Sequence, residues 1–243
     1  MPSGPEIDLS LVLPAYNEAD GLESVVEPLA RALGDAGISY ELVLVDNGSS
    51  DNTGTVIDQL ALRDSRVRKV VVPVNRGFGW GILCGMQWAS GQLVGYMGSD
   101  GQVSPEDVVQ VYRLSTSTGC DIAKVRRTLR DDGFLRRVQS LVFNSLLCML
   151  FGIRCADVNG SPKILPRGIV DRLALSSRDW FLDAEVMIKA RRFGLSVAEH
   201  PIRFRVRVQG RSHVRASTTL EFLRNILRYR LRNGRQGWSE SKP

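Results

Sequence analysis

The chain of 243 residues predicts an α/β protein with a mostly parallel sheet flanked by helices, and two observations carry that expectation. Short apolar runs alternate with helix-like segments through the first hundred residues, the pattern of successive βαβ units. Each run also ends in a cluster of Pro, Asn, Asp, Gly or Ser, the residue types of the loops where parallel sheets bind ligands, at the carboxyl ends of their strands.

Taken in order, LSLVLP (9–14) reads as a buried strand, and a helix follows from about Asn17 to Leu33. YELVLVD (40–46) is a second strand, SSDNTGTVIDQLALRD a second helix and VRKVVVPV (67–74) a third strand. NRGFGWGILCGMQWASG is a glycine-rich entry into a helix that leads to strand QLVGYMG (92–98). Beyond it, 107–117 reads as a helix, CDIAKV as a strand and 134–151 as an amphipathic helix. Helices at 176–194 and 216–232 enclose strands within 196–208, and the tail NGRQGWSESKP reads as disordered. There is no internal repeat and no linker, so we expect a single domain over 1–235 with a flexible tail at 236–243.

Composition narrows the class. Hydrophobic residues at 43% and charged residues at 24% are those of a globular protein with a full core. The formal charge of +6 favours an anionic partner, either phosphate or an anionic membrane surface. Nucleic acid is not expected, because no aromatic residues interleave with the arginines. Cys84, Cys120, Cys148 and Cys155 lack metal-ligand spacing and read as small buried hydrophobes in a reducing compartment. The first ten residues lack a basic region followed by an apolar one, and LVFNSLLCMLFGI (141–153) falls short of the ~20 apolar residues of a membrane span. The expected location is therefore cytoplasmic, or peripheral at a membrane, and not secreted.

Several motifs carry chemistry beside a plainer reading. In VDNGSSDNTG (45–54), Ser49 or Ser50 would cap the next helix and Gly48 supply a turn, which leaves Asp46 and Asn47 to read a nucleobase edge. The glycines of NRGFGWG (75–81) have the wrong spacing for a dinucleotide fingerprint; close packing of helix on sheet competes with phosphate binding there. Arg136 and Arg137 read either as part of a solvated basic face partly balanced by Asp131 and Asp132 or, bordering an apolar stripe of Phe134, Leu135, Val138, Leu141 and Val142, as suited to a membrane surface or a lipid phosphate. Alternation in RFRVRVQGRSHVR (203–215) would put Arg203, Arg205 and Arg207 on one strand face, which could clamp a diphosphate or be an ordinary cationic face. YMGSDGQVSPED (96–107) is an acidic turn after a buried strand, with one central carboxylate, Asp100.

VLPAYNE, LVLVDNGSSDNT, NRGFGWG and YMGSDGQVSPED occur in an order and spacing that resembles glycosyltransferase family 2, over about residues 9–232. The nearest resemblance is to dolichyl-phosphate mannose synthases and bacterial polyprenyl-phosphate glycosyltransferases. It implies a GT-A (Rossmann-like) fold, a nucleotide-sugar half at about 9–120, an acceptor half with amphipathic helices at about 121–232, and inverting transfer from a GDP- or UDP-sugar. Matched by position, Pro14, Tyr16 and Glu18 fall in the nucleotide loop, and Val45, Asp46 and Asn47 in the base-reading segment. Ser99 and Asp100 fall at the donor, Asp100 and Gln102 at a Mg²⁺ or Mn²⁺ ion, and Arg126 and Arg207 at the donor phosphates. Arg136 and Ser140 match residues holding the acceptor phosphate, Lys163 lies in a segment closing over the acceptor, and Ser212 and His213 lie near the phosphates. The family's metal motif is Asp-Ala-Asp-x-Gln, whereas this chain reads Gly98-Ser99-Asp100-Gly101-Gln102, so its first carboxylate is missing.

The resemblance thus implies a metal-dependent hexosyltransferase, of mannose or glucose type, acting on a polyprenyl or dolichyl phosphate. Such an acceptor is already an anion and needs no base. A soluble alcohol acceptor is the alternative; it needs a base, for which Asp183 and Glu185 are candidates beside their reading as an acidic helix start with Asp179 as cap. A non-catalytic nucleotide-sugar-binding protein is the third reading, motivated by Gly98.

Overall fold

The computed structural model describes residues 6–130, 134–153, 155–207, 224–226 and 228–231; the side chains of 129, 130 and 134–139 are outside that description. The chain divides into two compact units, Met1–Gly210 and Arg211–Pro243. In the second, the described residues 224–226 and 228–231 are helical. The sheet and its flanking helices belong to the first.

Its elements are β1 (Leu9–Ala15), α1 (Leu22–Asp35), β2 (Tyr40–Asn47), α2 (Thr53–Arg63), β3 (Val67–Val72), α3 (Phe78–Met86) and β4 (Leu93–Tyr96), then α4 (Pro105–Thr118), β5 (Ile122–Arg130), α5 (Phe134–Phe151), β6 (Lys163–Pro166), α6 (Arg167–Leu173), α7 (Leu182–Arg192) and β7 (Val197–Phe204). The seven strands lie in the order β3-β2-β1-β4-β6-β5-β7. The strands run parallel except β6, which pairs antiparallel with both β4 and β5. Chain order reverses between β1 and β4, so a crevice opens there at the carboxyl ends of the strands.

Periodicity explains the layers. Leu22, Val25, Val26, Leu29 and Leu33 recur at helical spacing in α1 and are all buried, each burial stabilising by about 1.5–3 kcal/mol. They join Leu9, Leu11, Leu13, Leu42 and Leu44 of the sheet, Ile57 of α2 and Val108 of α4 in one core. The opposite sheet face meets α3, where a methyl on Gly85 would stand 2.4 Å from Val12 Cγ1 and 2.8 Å from Val45 Cγ2, so only glycine lets this helix sit so close. Helix α4 starts on Ser104, whose hydroxyl accepts from the Asp107 amide at 3.2 Å, with Pro105 in the first turn, and stops at Gly119 in the left-handed conformation at φ 62°.

Several boundaries differ from expectation. The third strand ends at Val72, β5 runs on to Arg130, and 176–181 is a loop ahead of α7 rather than helix. β6 and α6 were not anticipated, because KILP is short and its face is set by tertiary pairing. The strand expected to carry three arginines ends at Phe204, so of these Arg203 alone lies in it. Within the expected helix at 216–232, residues 224–226 and 228–231 are helical and the others lie outside the described residues. Cys120 is buried as expected, whereas Cys84, Cys148 and Cys155 are half-buried. Among the described residues, no helix is long and apolar enough to cross a membrane.

Two lysines stand directly opposite each other on β5 and β6, Lys124 and Lys163, both fully buried. Lys163 pairs with Asp183, whose Oδ1 also accepts from the Tyr96 hydroxyl at 2.9 Å. Burial pulls the Lys163 ammonium below its ordinary range, and the Asp183 carboxylate opposes that. Lys124 bonds Glu199 at 3.0 Å and the Asp157 carbonyl. The Asp157 carboxylate is gripped at both oxygens by Arg127, at 2.7 Å each. Burial alone would raise the Asp157 carboxyl, but Arg127 and Lys124 hold it far below the usual carboxylate range. A depressed carboxyl stabilises the fold above its unfolded-state pKa of about 3.9 and loses that contribution as pH falls. Asp157→Asn is therefore expected to cost about 3–5 kcal/mol in urea unfolding at pH 7. The gap to the parent protein should shrink as unfolding is repeated at pH below about 4.

Candidate active site

The loops that leave β1 and β2 lock onto each other. Asn17 takes the left-handed conformation (φ 54°), which aims its amide at Ser49 Oγ (3.2 Å) and its side-chain oxygen at the Ser50 amide (2.8 Å). The Glu18 amide donates to Thr53 Oγ1 at 2.9 Å, and the Ala19 amide to Asp51 at 3.2 Å. Ser49 and Ser50 are therefore ties between loops, not caps: the residue before α2 is Asn52, and it makes no side-chain cap bond. Gly48 does supply the turn, at φ 75°.

Asp46 and Asn47 are engaged rather than free. Asp46 Oδ1 accepts from the Ser49 amide at 3.0 Å. Asn47 Nδ2 donates to the Gly77 carbonyl at 3.0 Å, a bond that an aspartate could not make. Its other end, Oδ1, is buried with no hydrogen-bond partner among the described residues. Val45 is fully buried under α3 and presents no side-chain surface. The glycines of NRGFGWG serve close packing. A methyl on Gly77 or Gly79 would come within 2.5 Å of the carbonyls of Arg178 or Ser177, and the Trp80 amide donates to that Arg178 carbonyl at 2.7 Å. Phe78 stacks on Trp180 with ring centres 4.4 Å apart, which seals this loop pair from the side.

Across the crevice, the acidic turn after β4 is tied to the first loop by Ser99, whose hydroxyl donates to the Pro14 carbonyl at 3.0 Å. Asp100 Oδ1 accepts from the Gln102 amide at 3.3 Å, with Gly101 at φ 71° making the turn. The buried Gln102 donates from Nε2 to the Arg205 carbonyl at 3.0 Å, and the Arg205 amide returns a bond to the Gln102 carbonyl at 3.0 Å. This pairing guides the chain past the end of β7 so that Arg207 enters the site. Its guanidinium reaches Glu18 Oε1 at 3.1 Å and Asp100 Oδ2 at 3.4 Å. Glu18 is 8% exposed. Its carboxyl is pushed up, first by burial and then by the charges of Asp100 and Asp51, against the pull of Arg207. Tyr16 is half-buried beside it in sequence, on the same loop.

The remaining candidates scatter. Arg126 is exposed on β5, and Ser140 is half-buried in α5. The Arg136 side chain lies outside the described residues, as do Ser212 and His213. Lys163 is not an open acceptor contact: it is fully buried and committed to Asp183. The same pair occupies Asp183, so that carboxylate is not poised as a base. Glu185 is fully buried and accepts from the amides of Ser176 and Ser177, the latter at 2.7 Å, while Asp179 accepts from the Phe181 amide at 2.8 Å. The pairing of Asp157 with Arg127 was not read from the sequence, because the burial of Lys124 that calls for an acid nearby shows only in the fold.

The fold implies a divalent cation, and the residues present fit one. Two carboxylates, Glu18 and Asp100, already converge on a cationic group, and with its donor end bound to Arg205 the Gln102 side chain would have only its oxygen to offer an ion. No cluster of three or more His, Cys, Asp or Glu able to hold a metal occurs among the described residues, so diphosphate and water oxygens would complete the shell.

The family model described as glycosyl transferase family 2 matches residues 10–173. The chain belongs to glycosyltransferase family 2. It is 29% identical over 166 residues to an undecaprenyl-phosphate 4-deoxy-4-formamido-L-arabinose transferase of Proteus mirabilis, an alignment covering 68% of this chain and 51% of that protein. With the enzyme of the same name from Shewanella sediminis it shares 30% over 206 residues, 84% of this chain and 61% of the other. The chain thus spans roughly half the length of the curated relatives it matches. Glucosyl-3-phosphoglycerate synthase from Mycobacterium tuberculosis, solved with Mn²⁺, UDP and glucosyl-3-phosphoglycerate, superposes with a TM-score of 0.71 at 24% identity, covering 91% of this chain and 79% of that one. That likeness shows the GT-A fold.

Gly98 is not required by the backbone, since its φ is not positive, nor by space. A methyl there would lie 3.6 Å from Asp100 Oδ1, an ordinary contact. Gly98→Asp is therefore expected to fold and to raise Mn²⁺ affinity in the presence of UDP or GDP by about tenfold, measured by calorimetric titration.

Proposed function

We propose that this chain transfers a glycosyl group, with inversion, from a nucleoside diphosphate sugar to the phosphate of a polyprenyl phosphate. The observation that carries the reading is the state of the acidic residues on the acceptor side. Asp183 is paired with Lys163 in the interior, and Glu185 is engaged by Ser176, Ser177 and Lys189. Neither is set up to remove a proton from an alcohol, and an acceptor that arrives as an anion needs none removed. The printed names of the Proteus and Shewanella relatives, which specify undecaprenyl phosphate, support the same acceptor class.

The chain's own groups divide the work. Glu18, Asp46, Asn47 and the ties around Asn17 preorganise the donor side, so its ordering entropy is spent in folding rather than at binding. Arg126 and Arg207 offer bidentate donors to the diphosphate and stabilise the charge that builds on it as the glycosidic bond breaks. A bound Mg²⁺ or Mn²⁺, held through Asp100 and Gln102, supplies further charge stabilisation to the same leaving group. Arg136 and Ser140 are our candidates for the acceptor phosphate, with Ser212 and His213 near the phosphates. Hexoses linked to GDP or UDP are the donors we infer, and the relatives' names add 4-deoxy-4-formamido-L-arabinose as a donor to compare.

The test is incorporation of radiolabelled sugar from each donor, with undecaprenyl phosphate in detergent and Mn²⁺ or Mg²⁺ present. The expected outcome is label that extracts into organic solvent and returns to water on mild acid treatment. Label transferred only to water-soluble acceptors would overturn the lipid reading. Binding without turnover of any donor would favour a non-catalytic protein.

A further inference from the structure

The missing carboxylate at position 98 has a counterpart elsewhere in the fold. Arg207 does not merely lie near the acidic turn: its two terminal nitrogens divide between Glu18 at 3.1 Å and Asp100 at 3.4 Å. These acids lie in the loops that follow β1 and β4, the two strands between which strand order reverses. Glu18 is shielded and Asp100 half-buried, with side-chain exposures of 8% and 24%, and the Arg207 side chain is 21% exposed. A cationic group is thus held between two carboxylates in the crevice.

We propose that Glu18 supplies the second carboxylate of the cation site in place of the absent residue 98 acid, and that Arg207 fills this site until a donor diphosphate draws it away. This rests on the reading of the crevice as a nucleotide-sugar site. A guanidinium and a divalent cation cannot neutralise the same two oxygens at once, because like charges at such range repel. A diphosphate offers Arg207 a bidentate partner of higher charge than either carboxylate. Once Arg207 pairs with phosphate, Glu18 and Asp100 are released to the ion. Ion and donor therefore enter as a coupled pair, and by linkage each tightens the other. The strand-like pairing of Arg205 with Gln102 anchors the segment, so the exchange needs only rotation of the Arg207 side chain.

The experiment titrates Mn²⁺ by the loss of its free electron paramagnetic resonance signal, with and without UDP or GDP, using the full chain. Arg207→Gln is expected to bind Mn²⁺ in the absence of nucleotide about tenfold more tightly than the parent, with a matching fall in coupling to nucleotide. Arg207→Lys, which keeps the charge, is expected to stay near the parent. Glu18→Gln is expected to weaken Mn²⁺ binding in the nucleotide complex by about tenfold. An unchanged nucleotide-free affinity in Arg207→Gln, or an equal rise in Arg207→Lys, would overturn the exchange. Unchanged Mn²⁺ binding in Glu18→Gln would remove Glu18 as a ligand. Because no acceptor or sugar is present, failure of lipid transfer leaves these outcomes intact, whereas absence of any UDP or GDP binding by the parent protein would sink the nucleotide-sugar reading itself.

Discussion

Two ammonium groups sealed inside a sheet govern the second half of this molecule. Lys124 and Lys163 face each other across β5 and β6 without access to water. Each must find acids, since a buried unpaired charge costs several kcal/mol. Asp183 comes from the start of α7, Glu199 from β7 and Asp157 from the segment before β6. Three stretches far apart in sequence are thereby gathered around one strand pair. Arg127 completes the balance by clamping Asp157, and its guanidinium lies 5.2 Å from the Phe204 ring. The strand that ends at Phe204 is the one that delivers Arg205 and Arg207, so the buried charges fix the launch point of the chain that enters the crevice.

The first half needs no such device. Its strands are largely apolar, their one buried acid, Glu41, is satisfied by Ser10 and Ser90, and their loops converge because parallel strands all finish on one edge. What turns those loops into a site is a set of short ties between polar side chains and backbone: Asn17 with Ser49 and Ser50, Thr53 with Glu18, Ser99 with Pro14. The rim is therefore rigid where the donor would sit. The antiparallel β6 adds a further strand end there, because it enters the sheet at the edge where its neighbours leave.

Sequence reading reached the donor half well because its signals are local. Alternating apolar runs, Gly48 at a turn and the order of four short motifs all lie within about a hundred residues. It erred where tertiary contact decides. Ser49 and Ser50 have the chemistry of caps, and only the neighbouring loop shows that they serve as ties. Asp183 and Lys163 have the chemistry of a base and a phosphate contact, yet twenty residues apart in sequence they meet as an internal pair. Alternation placed three arginines on one strand face, but Gln102 captures the Arg205 backbone and turns the chain away. The convergence of Glu18, Asp100 and Arg207 spans 189 residues and has no local signature beyond the family motif.

Gly98 has an evolutionary consequence. Every glycine codon becomes an acidic codon through a single change at its middle base. The backbone there tolerates a side chain, and the space beside Asp100 accepts one. The first side-chain atom of an acid at this position therefore meets neither a clash nor backbone strain. An exchange at this residue would thus be felt in ion and donor chemistry before it is felt in packing.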